Sequence, residues 1–172
     1  MKDYNAIYGE YVKKTIEVMK EAGLSDLLPD TLSFKLNPNL NYAVGQCVFK
    51  ESGTEIQFGE KYFKAYVDND MEHEIINTLV HETLHSLPDS HNHGKTWKKH
   101  AKTINDMFDL KIERLAPRDK VLDMLDEEEK FNMVKLVCIR CDKETYVKKS
   151  HKAVKNPDNF TCRCGGGIRV EK

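Results

Sequence analysis

Residues 70–87 carry the clearest hydrophobic pattern of the chain, and this pattern predicts an amphipathic helix. Apolar residues recur there at intervals of three and four, which places them on one arc of a helix at about 100° per residue. Asp68, Asn69 and Asp70 offer N-cap oxygens at its start, and Pro88 ends it. The apolar positions are Ile75, Ile76, Leu79, Val80, Leu84 and Leu87.

Two further segments show helical spacing. Residues 5–23 predict an earlier helix that stops near Gly23, with apolar positions at Ile7, Tyr11, Ile16, Val18, Met19 and Ala22. Residues 94–108 predict a later one. Its apolar face consists of Trp97, Ala101, Ile104 and Phe108.

Short segments with β-type composition predict a small sheet between these helices. Thr31–Leu36 reads as a strand. Asn41–Phe49 and Thr54–Phe58 flank the polar turn residues 50–53 and predict a hairpin. Cys47 lies within this hairpin, and we expect it to be a small buried residue.

The hydrophobic pattern differs in the C-terminal third of the chain. Residues 110–118 read as a connection that contains Pro117, and residues 119–131 as an acidic helix. From Met133 onward the pattern becomes short and strand-like. The sequence therefore predicts an α+β domain over residues 1–132, with helices packed on a small sheet, and a small module over residues 133–172.

The polar side of the predicted helix 70–87 carries a pattern with specific chemistry. Residues 81–85 read His-Glu-Thr-Leu-His, the H-E-x-x-H motif, and His81 and His85 lie one turn apart on the same face. Two imidazoles so placed can hold one zinc ion at about 2.0–2.1 Å each. Glu82 is placed to take a proton from a water molecule at the metal. Because His81 and His85 lie opposite the apolar arc, they are expected to line a cleft.

Two histidines follow as candidates for a third ligand. His91 has the metzincin spacing, but that motif needs a glycine where this chain has Pro88. His93 precedes Gly94, which permits a sharp turn into the helix that Trp97 anchors. We therefore predict His93 as the third ligand, with a fourth position left for water. His91 is then a solvated loop residue, and His73 and His100 are surface residues or neighbours of the ligands.

Four of the five cysteines cluster near the C-terminus in two pairs. Cys138 and Cys141 form a C-x-x-C pair, and Cys162 and Cys164 form a C-x-C pair. Two such pairs predict a zinc ribbon, in which four thiolates hold one structural zinc ion in a closed tetrahedron. Because the second pair is one residue shorter than usual, His151 remains an alternative ligand. Reduced cysteines without a metal are the other alternative.

Charge is unevenly distributed along the chain. Residues 134–172 contain ten Lys or Arg and four Asp or Glu, a net charge of +6, so residues 1–133 carry −7 of the total of −1. A basic module could bind a nucleic-acid backbone by phosphate contacts and base stacking. The residues that suggest this are Tyr146, Lys148, Lys149, Lys152 and Phe160. The alternative is that these lysines only keep a small module soluble.

Bulk properties restrict the compartment and the class of protein. The chain has 172 residues and a formal net charge of −1. No apolar run reaches membrane length, and the first residues contain no apolar signal region. We therefore expect a monomeric cytoplasmic protein without a membrane partner.

The histidine motif and its downstream loop resemble a known family. Residues 81–85 followed by Leu87-Pro88-Asp89-Ser90-His91-Asn92-His93-Gly94 and then Trp97 resemble the SprT-like zinc metalloproteases, relatives of the Spartan protease. Residues 42–47 resemble the family's W-G-x-C hairpin segment, with Val44 in place of the aromatic residue. The resemblance extends from about Tyr4 to Ile168. It implies a zincin-like domain and a zinc ribbon, with ligands at His81, His85 and His93 and a catalytic glutamate at Glu82.

Three functions are compatible with this sequence. The first is a metalloendopeptidase that uses catalytic zinc and Glu82 as general base on protein or peptide substrates, including DNA-associated proteins. The second is a non-proteolytic DNA-binding or regulatory protein that retains the zincin scaffold. The third is a metallohydrolase of small substrates. The intact Glu82 favours a catalytic function.

Overall fold

The structure is a computed structural model that describes residues 2–40, 43–114 and 133–171. The chain divides into two compact units, residues 1–116 and 117–172. The predicted domain boundary after residue 132 adjoins the segment 115–132, which lies outside the described residues, so that boundary stays a prediction. The predicted acidic helix over 119–131 and the first two residues of the predicted hairpin also lie outside the described residues.

The first unit combines four helices with one sheet. The helices are α1 (Tyr4–Glu21), α2 (Glu60–Asp68), α3 (Glu72–His85) and α4 (Lys95–Phe108), and a 3₁₀ turn spans Ser25–Leu27. The strands are β1 (Leu32–Asn37), β2 (Gly45–Lys50) and β3 (Gly53–Gly59). The predicted α+β class is confirmed, and the predicted helices and strands that fall on described residues occur within a few residues of their expected bounds.

The three strands form one sheet in the order β1-β3-β2. β2 and β3 make the predicted antiparallel hairpin, in which Lys50 pairs with Gly53. β1 runs parallel to β3, with Leu32 opposite Thr54. Gly53 has a φ of 130°, and a Cβ there would lie 2.3 Å from Thr31 Oγ1. Only glycine therefore fits where the hairpin turn meets the start of β1.

The predicted start of α3 is wrong in one respect. Its N-cap is Met71, without a side-chain hydrogen bond, and not one of the three polar residues 68–70. Those residues end α2, a helix that the periodicity analysis did not identify. Asn69 Nδ2 donates to the carbonyl of Ala65 at 2.8 Å, and Asp70 has a φ of 54°. Asp and Asn tolerate this left-handed conformation better than other residues do, so they suit a chain reversal between helices.

The apolar arcs of α3 and α4 meet in one core cluster together with α1. Leu84 and Ile104 are fully buried, and Trp97 is 2% exposed. The histidines lie on the other face of α3, as the sequence predicts, and Trp97 of the cluster contacts them there. The cluster contains Met19, Leu24, Val80, Leu84, Leu87, Trp97, Ala101, Ile104, Leu110 and Ile112.

The described residues of the second unit form a small antiparallel sheet with a short helix. Its strands are β4 (Met133–Cys138), β5 (Glu144–Lys148) and β6 (Ile168–Glu171), in the order β5-β4-β6. A short helix α5 (Lys152–Lys155) and a 3₁₀ turn (Pro157–Asn159) connect β5 to the second cysteine pair. No helix among the described residues is long and apolar enough to span a membrane.

Candidate active site and metal centres

Three histidines converge on one point at the end of α3. The Nε2 atoms of His81 and His85 are 3.3 Å apart, and His93 Nε2 lies 3.2 Å from that of His85 and 3.1 Å from that of His81. Tetrahedral zinc with Zn–N bonds of about 2.0–2.1 Å requires N···N separations of about 3.3–3.4 Å. The donor set therefore fits a tetrahedral ion with three nitrogen ligands and one further position.

A backbone carbonyl orients one of these rings. The Nδ1 atom of His85 donates to the carbonyl of Ser90 at 2.9 Å. A carbonyl can only accept, so Nδ1 of His85 carries the hydrogen and its Nε2 is a free electron-pair donor. Such a partner fixes both the tautomer and the direction of a metal-binding imidazole.

The buried ring of Trp97 forms the floor beneath the three histidines. Its centroid lies 4.9 Å from that of His81, 5.7 Å from that of His85 and 4.6 Å from that of His93. Trp97 is the anchor that the sequence predicts for α4. The interface between α3 and α4 therefore brings His93 to the two histidines of the motif.

The surroundings keep all three imidazoles neutral. Burial, with the neighbouring His85 and His93 as further causes, lowers the pKa of His81 to about 4. Burial also lowers the pKa of His85 and of His93. Neutral imidazole is the form that binds a metal, so the site is ready for an ion at neutral pH.

Glu82 lies between α3 and the edge strand β2. Burial raises the pKa of its carboxyl group to about 7, although the backbone N–H of Cys47 favours the charged form. The strand approaches closely because residue 45 is glycine. A Cβ at Gly45 would lie 2.8 Å from Glu82 Cγ and 2.9 Å from Thr78 Cγ2. A carboxyl group with a pKa near 7 can both accept and release a proton at neutral pH.

The thiol of Cys47, on the strand that approaches Glu82, is not ionised. Burial, with the charge of Glu82 as a second cause, raises the pKa of this thiol to about 12. The side chain is half-buried rather than fully buried.

The loop between His85 and His93 places His91 outside the histidine group. Its side chain is exposed, its Nδ1 donates to the carbonyl of His85 at 3.1 Å, and its ring packs edge-on against Phe49 at 4.7 Å. Gly94 has an ordinary φ of −73°, so the expected sharp turn is not the reason for glycine there. A Cβ on Gly94 would instead lie 2.7 Å from Asn92 Oδ1.

The other two histidines of the first unit lie outside the group as well. His73 is exposed and His100 is half-buried. Neither belongs to the His81–His85–His93 group of metal-type ligands found among the described residues.

The four C-terminal cysteines form a second group. Their sulfur atoms all lie within 4.8 Å of one another. Cys138 Sγ is 3.4 Å from Cys164 Sγ, and Cys141 Sγ is 3.8 Å from Cys162 Sγ. Tetrahedral zinc with Zn–S bonds of about 2.3 Å requires S···S separations of about 3.8 Å. The cluster is consistent with a zinc ribbon.

Local backbone geometry compensates for the shortened second pair. Gly165 has a φ of 82°, and the N–H of Cys162 donates to the carbonyl of Gly166 at 2.8 Å. A Cβ on Gly166 would lie 2.7 Å from Cys138 Sγ. The glycine run therefore folds tightly enough to bring both cysteines of the C-x-C pair to the cluster. His151, the alternative ligand, uses its Nδ1 to accept from the N–H of Ala153 at 3.2 Å.

The surroundings of Cys138 favour the thiolate form of its side chain. The backbone N–H of Arg140 approaches Cys138 Sγ at 3.4 Å, and this contact is the main cause that lowers the pKa of Cys138 to about 6. Metals bind the thiolate form. The contact with the Arg140 N–H therefore favours the form of Cys138 that binds a metal.

Residues 12–116 match the SprT-like family. The chain belongs to the SprT-like family. This match covers the three histidines, Glu82 and the strands β1 to β3, whereas the cysteine cluster lies outside it. No curated protein matches the chain.

The chain belongs to the SprT-like family and has two groups of metal-type ligands. We therefore predict that each group binds a metal ion. Purified protein should contain two zinc ions per chain. Cys138→Ser should reduce this to one, because a structural site with three thiolates loses most of its affinity. Elemental analysis of wild type and variant, each at known protein concentration, checks the result. One ion per chain that persists in the Cys138→Ser variant would contradict the ribbon assignment.

Proposed function

We propose that this SprT-like protein is a zinc-dependent metalloendopeptidase. The observation that carries the proposal is the convergence of three neutral imidazoles at N···N distances of 3.1–3.3 Å. Glu82 stands next to His81 on the same helix, with a pKa raised to about 7 by burial. A structural metal site has no need for an additional carboxyl group of this kind.

The residues of the site would divide the chemistry of peptide hydrolysis among them. When bound, zinc would make a water molecule more acidic and polarise the carbonyl of the scissile peptide. Glu82 accepts a proton from the attacking water as the C–O bond forms. It then delivers this proton to the nitrogen of the leaving amine as the C–N bond breaks. His81, His85 and His93 would hold the ion.

Strand β2 provides the surface on which a substrate would lie. In the described part of the chain it pairs with β3 on one side only, so it is an edge strand. The residues near Glu82, from Gly45 to Cys47, belong to this strand. An extended peptide can add to such an edge by main-chain hydrogen bonds. Recognition by the main chain favours unfolded or flexible segments and a broad sequence specificity.

The basic C-terminal unit suggests nucleic acid as a partner. Lys148 and Lys152 are exposed, and the rings of Tyr146 and Phe160 are half-buried. Exposed lysines can contact phosphates, and half-exposed aromatic rings can stack on bases. We therefore include nucleic acid in the proposal as a partner that brings protein substrates, such as DNA-associated proteins, to the site.

The proposal is tested by cleavage of casein, an unfolded protein, at neutral pH. The zinc-loaded chain should produce fragments, chelation should stop the reaction, and added zinc should restore it. A parallel series with single-stranded DNA tests the nucleic-acid partner, which predicts faster cleavage at low salt than at high salt. If the zinc-loaded chain leaves casein intact in both series, the non-proteolytic alternative is favoured.

A further inference from the structure

An aromatic ring is exposed on the edge strand that runs beside the candidate active site. Phe49 lies near the end of β2 and is 53% exposed. Among the described residues, the other exposed large apolar side chains are Leu27, Met107 and Ile139, and none of these lies on β2. A single exposed apolar side chain is common on protein surfaces. The position of Phe49 on the strand is therefore what carries the argument.

Phe49 shares one face of β2 with Gly45, the residue that approaches Glu82. β2 pairs with β3 in unbroken register over residues 45–50. Side chains alternate between the two faces of such a strand, so residues 45, 47 and 49 point to the same face. A Cβ on Gly45 would lie 2.8 Å from Glu82 Cγ. The face that carries Phe49 is therefore the face turned toward α3 and Glu82.

His91 stands against Phe49 at the end of this face. The two ring centroids are 4.7 Å apart and the ring planes meet at 87°, so the rings form the two walls of a corner. His91 Nδ1 donates to the carbonyl of His85 at 3.1 Å. This hydrogen bond ties the corner to the last residue of α3, which is one of the three candidate ligands. Both side chains are exposed, so the corner is open to solvent.

A peptide bound along the edge of β2 would place one of its side chains at this corner. Residues directly opposite each other on paired strands have Cβ atoms about 4.5–5.5 Å apart, on the same face of the sheet. The peptide residue opposite Phe49 would therefore point toward its ring, whereas the residue opposite Gly45 would lie beside Glu82. These two peptide residues are four positions apart, which is about 13 Å at about 3.3 Å per residue.

We propose that Phe49 and His91 form a subsite that selects peptides with a large apolar side chain at this position. An aromatic or branched aliphatic side chain would cover the exposed Phe49 ring, and cross-strand pairs of these types are favourable. A charged side chain would lose water there without gaining a partner of opposite charge on either ring. This proposal rests on the proposed function, which places the peptide on β2, and it adds which peptides bind.

The subsite also narrows the class of substrate. Large apolar side chains are mostly buried in folded proteins and become accessible when a segment unfolds. An extended segment that shows such a side chain is therefore a feature of unfolded or partly unfolded protein. Edge pairing and the subsite would thus require the same state of the substrate.

A binding experiment tests the subsite without turnover. It uses the zinc-loaded Glu82→Gln chain and two fluorescent peptides of about twelve Ser, Thr and Gly residues, one with a central Phe and one with Ser instead. Such peptides can shift their register along the edge, so the Phe can reach the subsite. Fluorescence anisotropy should show about three-fold or more tighter binding of the Phe peptide, the scale of one cross-strand aromatic pair.

Two further substitutions in the same chain locate this preference. Phe49→Ala should remove the difference between the two peptides. The matched control is Met107→Ala, which removes a large apolar side chain of equal exposure, 52%, from α4. The control should keep the difference, because Met107 is about 18 Å along α4 from the end that carries His93.

Casein cleavage by the active chain provides the second readout. Mass spectrometry of the fragments should show large apolar residues enriched at a fixed distance from the cleaved bond. Phe49→Ala should lose this enrichment, and Phe49→Lys should replace it by an enrichment of Asp and Glu. If Phe49 only braces the loop that contains His91, its variants would lower the rate or the zinc content and leave the distribution of cleavage sites unchanged.

The outcomes separate this proposal from the proposed function. If casein stays intact but the Phe peptide binds more tightly and Phe49→Ala removes the preference, the proposed function fails and the subsite stands as a peptide-binding site. If casein is cleaved but the preference is absent or survives Phe49→Ala, the subsite is overturned. If neither peptide binds and casein stays intact, both proposals fail. Sedimentation adds one outcome, because a dimer that Phe49→Lys dissociates would make the corner a self-interface and overturn the subsite.

Discussion

Replacing Glu82 by glutamine should reduce casein cleavage by at least about 100-fold, the scale of positioned acid–base catalysis. Glutamine has nearly the same shape and fills the same space between α3 and Gly45, but it cannot accept a proton. The three imidazoles are unchanged in the variant, and His85 keeps its hydrogen bond to the Ser90 carbonyl. Two zinc ions per chain should therefore remain, and parallel measurements of initial cleavage rate and zinc content check both statements.

The matched control for this variant is Glu72→Gln on the same helix. Glu72 is exposed at the start of α3, and its carboxylate lies 3.8 Å from Lys14 Nζ. Exposed ion pairs of this kind contribute little to stability, so the control should keep both its fold and its cleavage rate. A Glu82→Gln protein that cleaves casein as fast as the control does would show that the proposed base is wrong.

His93→Ala should remove the zinc of the histidine site and abolish cleavage. The variant leaves two imidazoles, and the affinity of a three-nitrogen site falls steeply when one donor is lost. His91→Ala should leave both zinc ions in place and change cleavage by no more than a few-fold. Its ring lies against Phe49, and its Nδ1 contacts the carbonyl of His85 rather than the point where the ligands meet. Zinc analysis and cleavage rates of the two variants check the contrast.

The two histidine variants control for each other because they change the same side chain in the same loop. A general loosening of the loop would affect both proteins alike. Should His91→Ala lose zinc while His93→Ala retains it, the assignment of ligands would reverse and the loop would resemble that of the metzincins.

Helices α1, α3 and α4 could be predicted because their apolar spacing is strong. α2 was not predicted because it has only nine residues and follows β3 directly, which leaves little length for a helical pattern. The polar residues at its end have the composition of an N-cap, and the sequence therefore assigned them to α3. The parallel pairing of β1 with β3 depends on contacts across the sheet, for which a single sequence offers little indication.

Some features of the candidate site could be predicted from the local sequence, whereas others depend on contacts between residues distant in the chain. His81, Glu82 and His85 follow from helical spacing alone, and the position of His93 follows from its distance to Trp97. The Ser90 carbonyl could not be predicted as the partner of His85, because any residue type has a carbonyl and nothing in its side chain indicates a partner. Gly45 belongs to the hairpin segment 42–47 that resembles the family motif. Its close approach to Glu82 could not be predicted from the sequence.

The order of the core residues along the chain has a consequence for synthesis. The three candidate ligands lie within residues 81–93, whereas Ile112 of the core cluster follows nineteen residues after His93. At about 5–20 residues per second, Ile112 is added about one to four seconds after His93. A nascent chain therefore contains all three imidazoles before the residues that complete their supporting core have been synthesised.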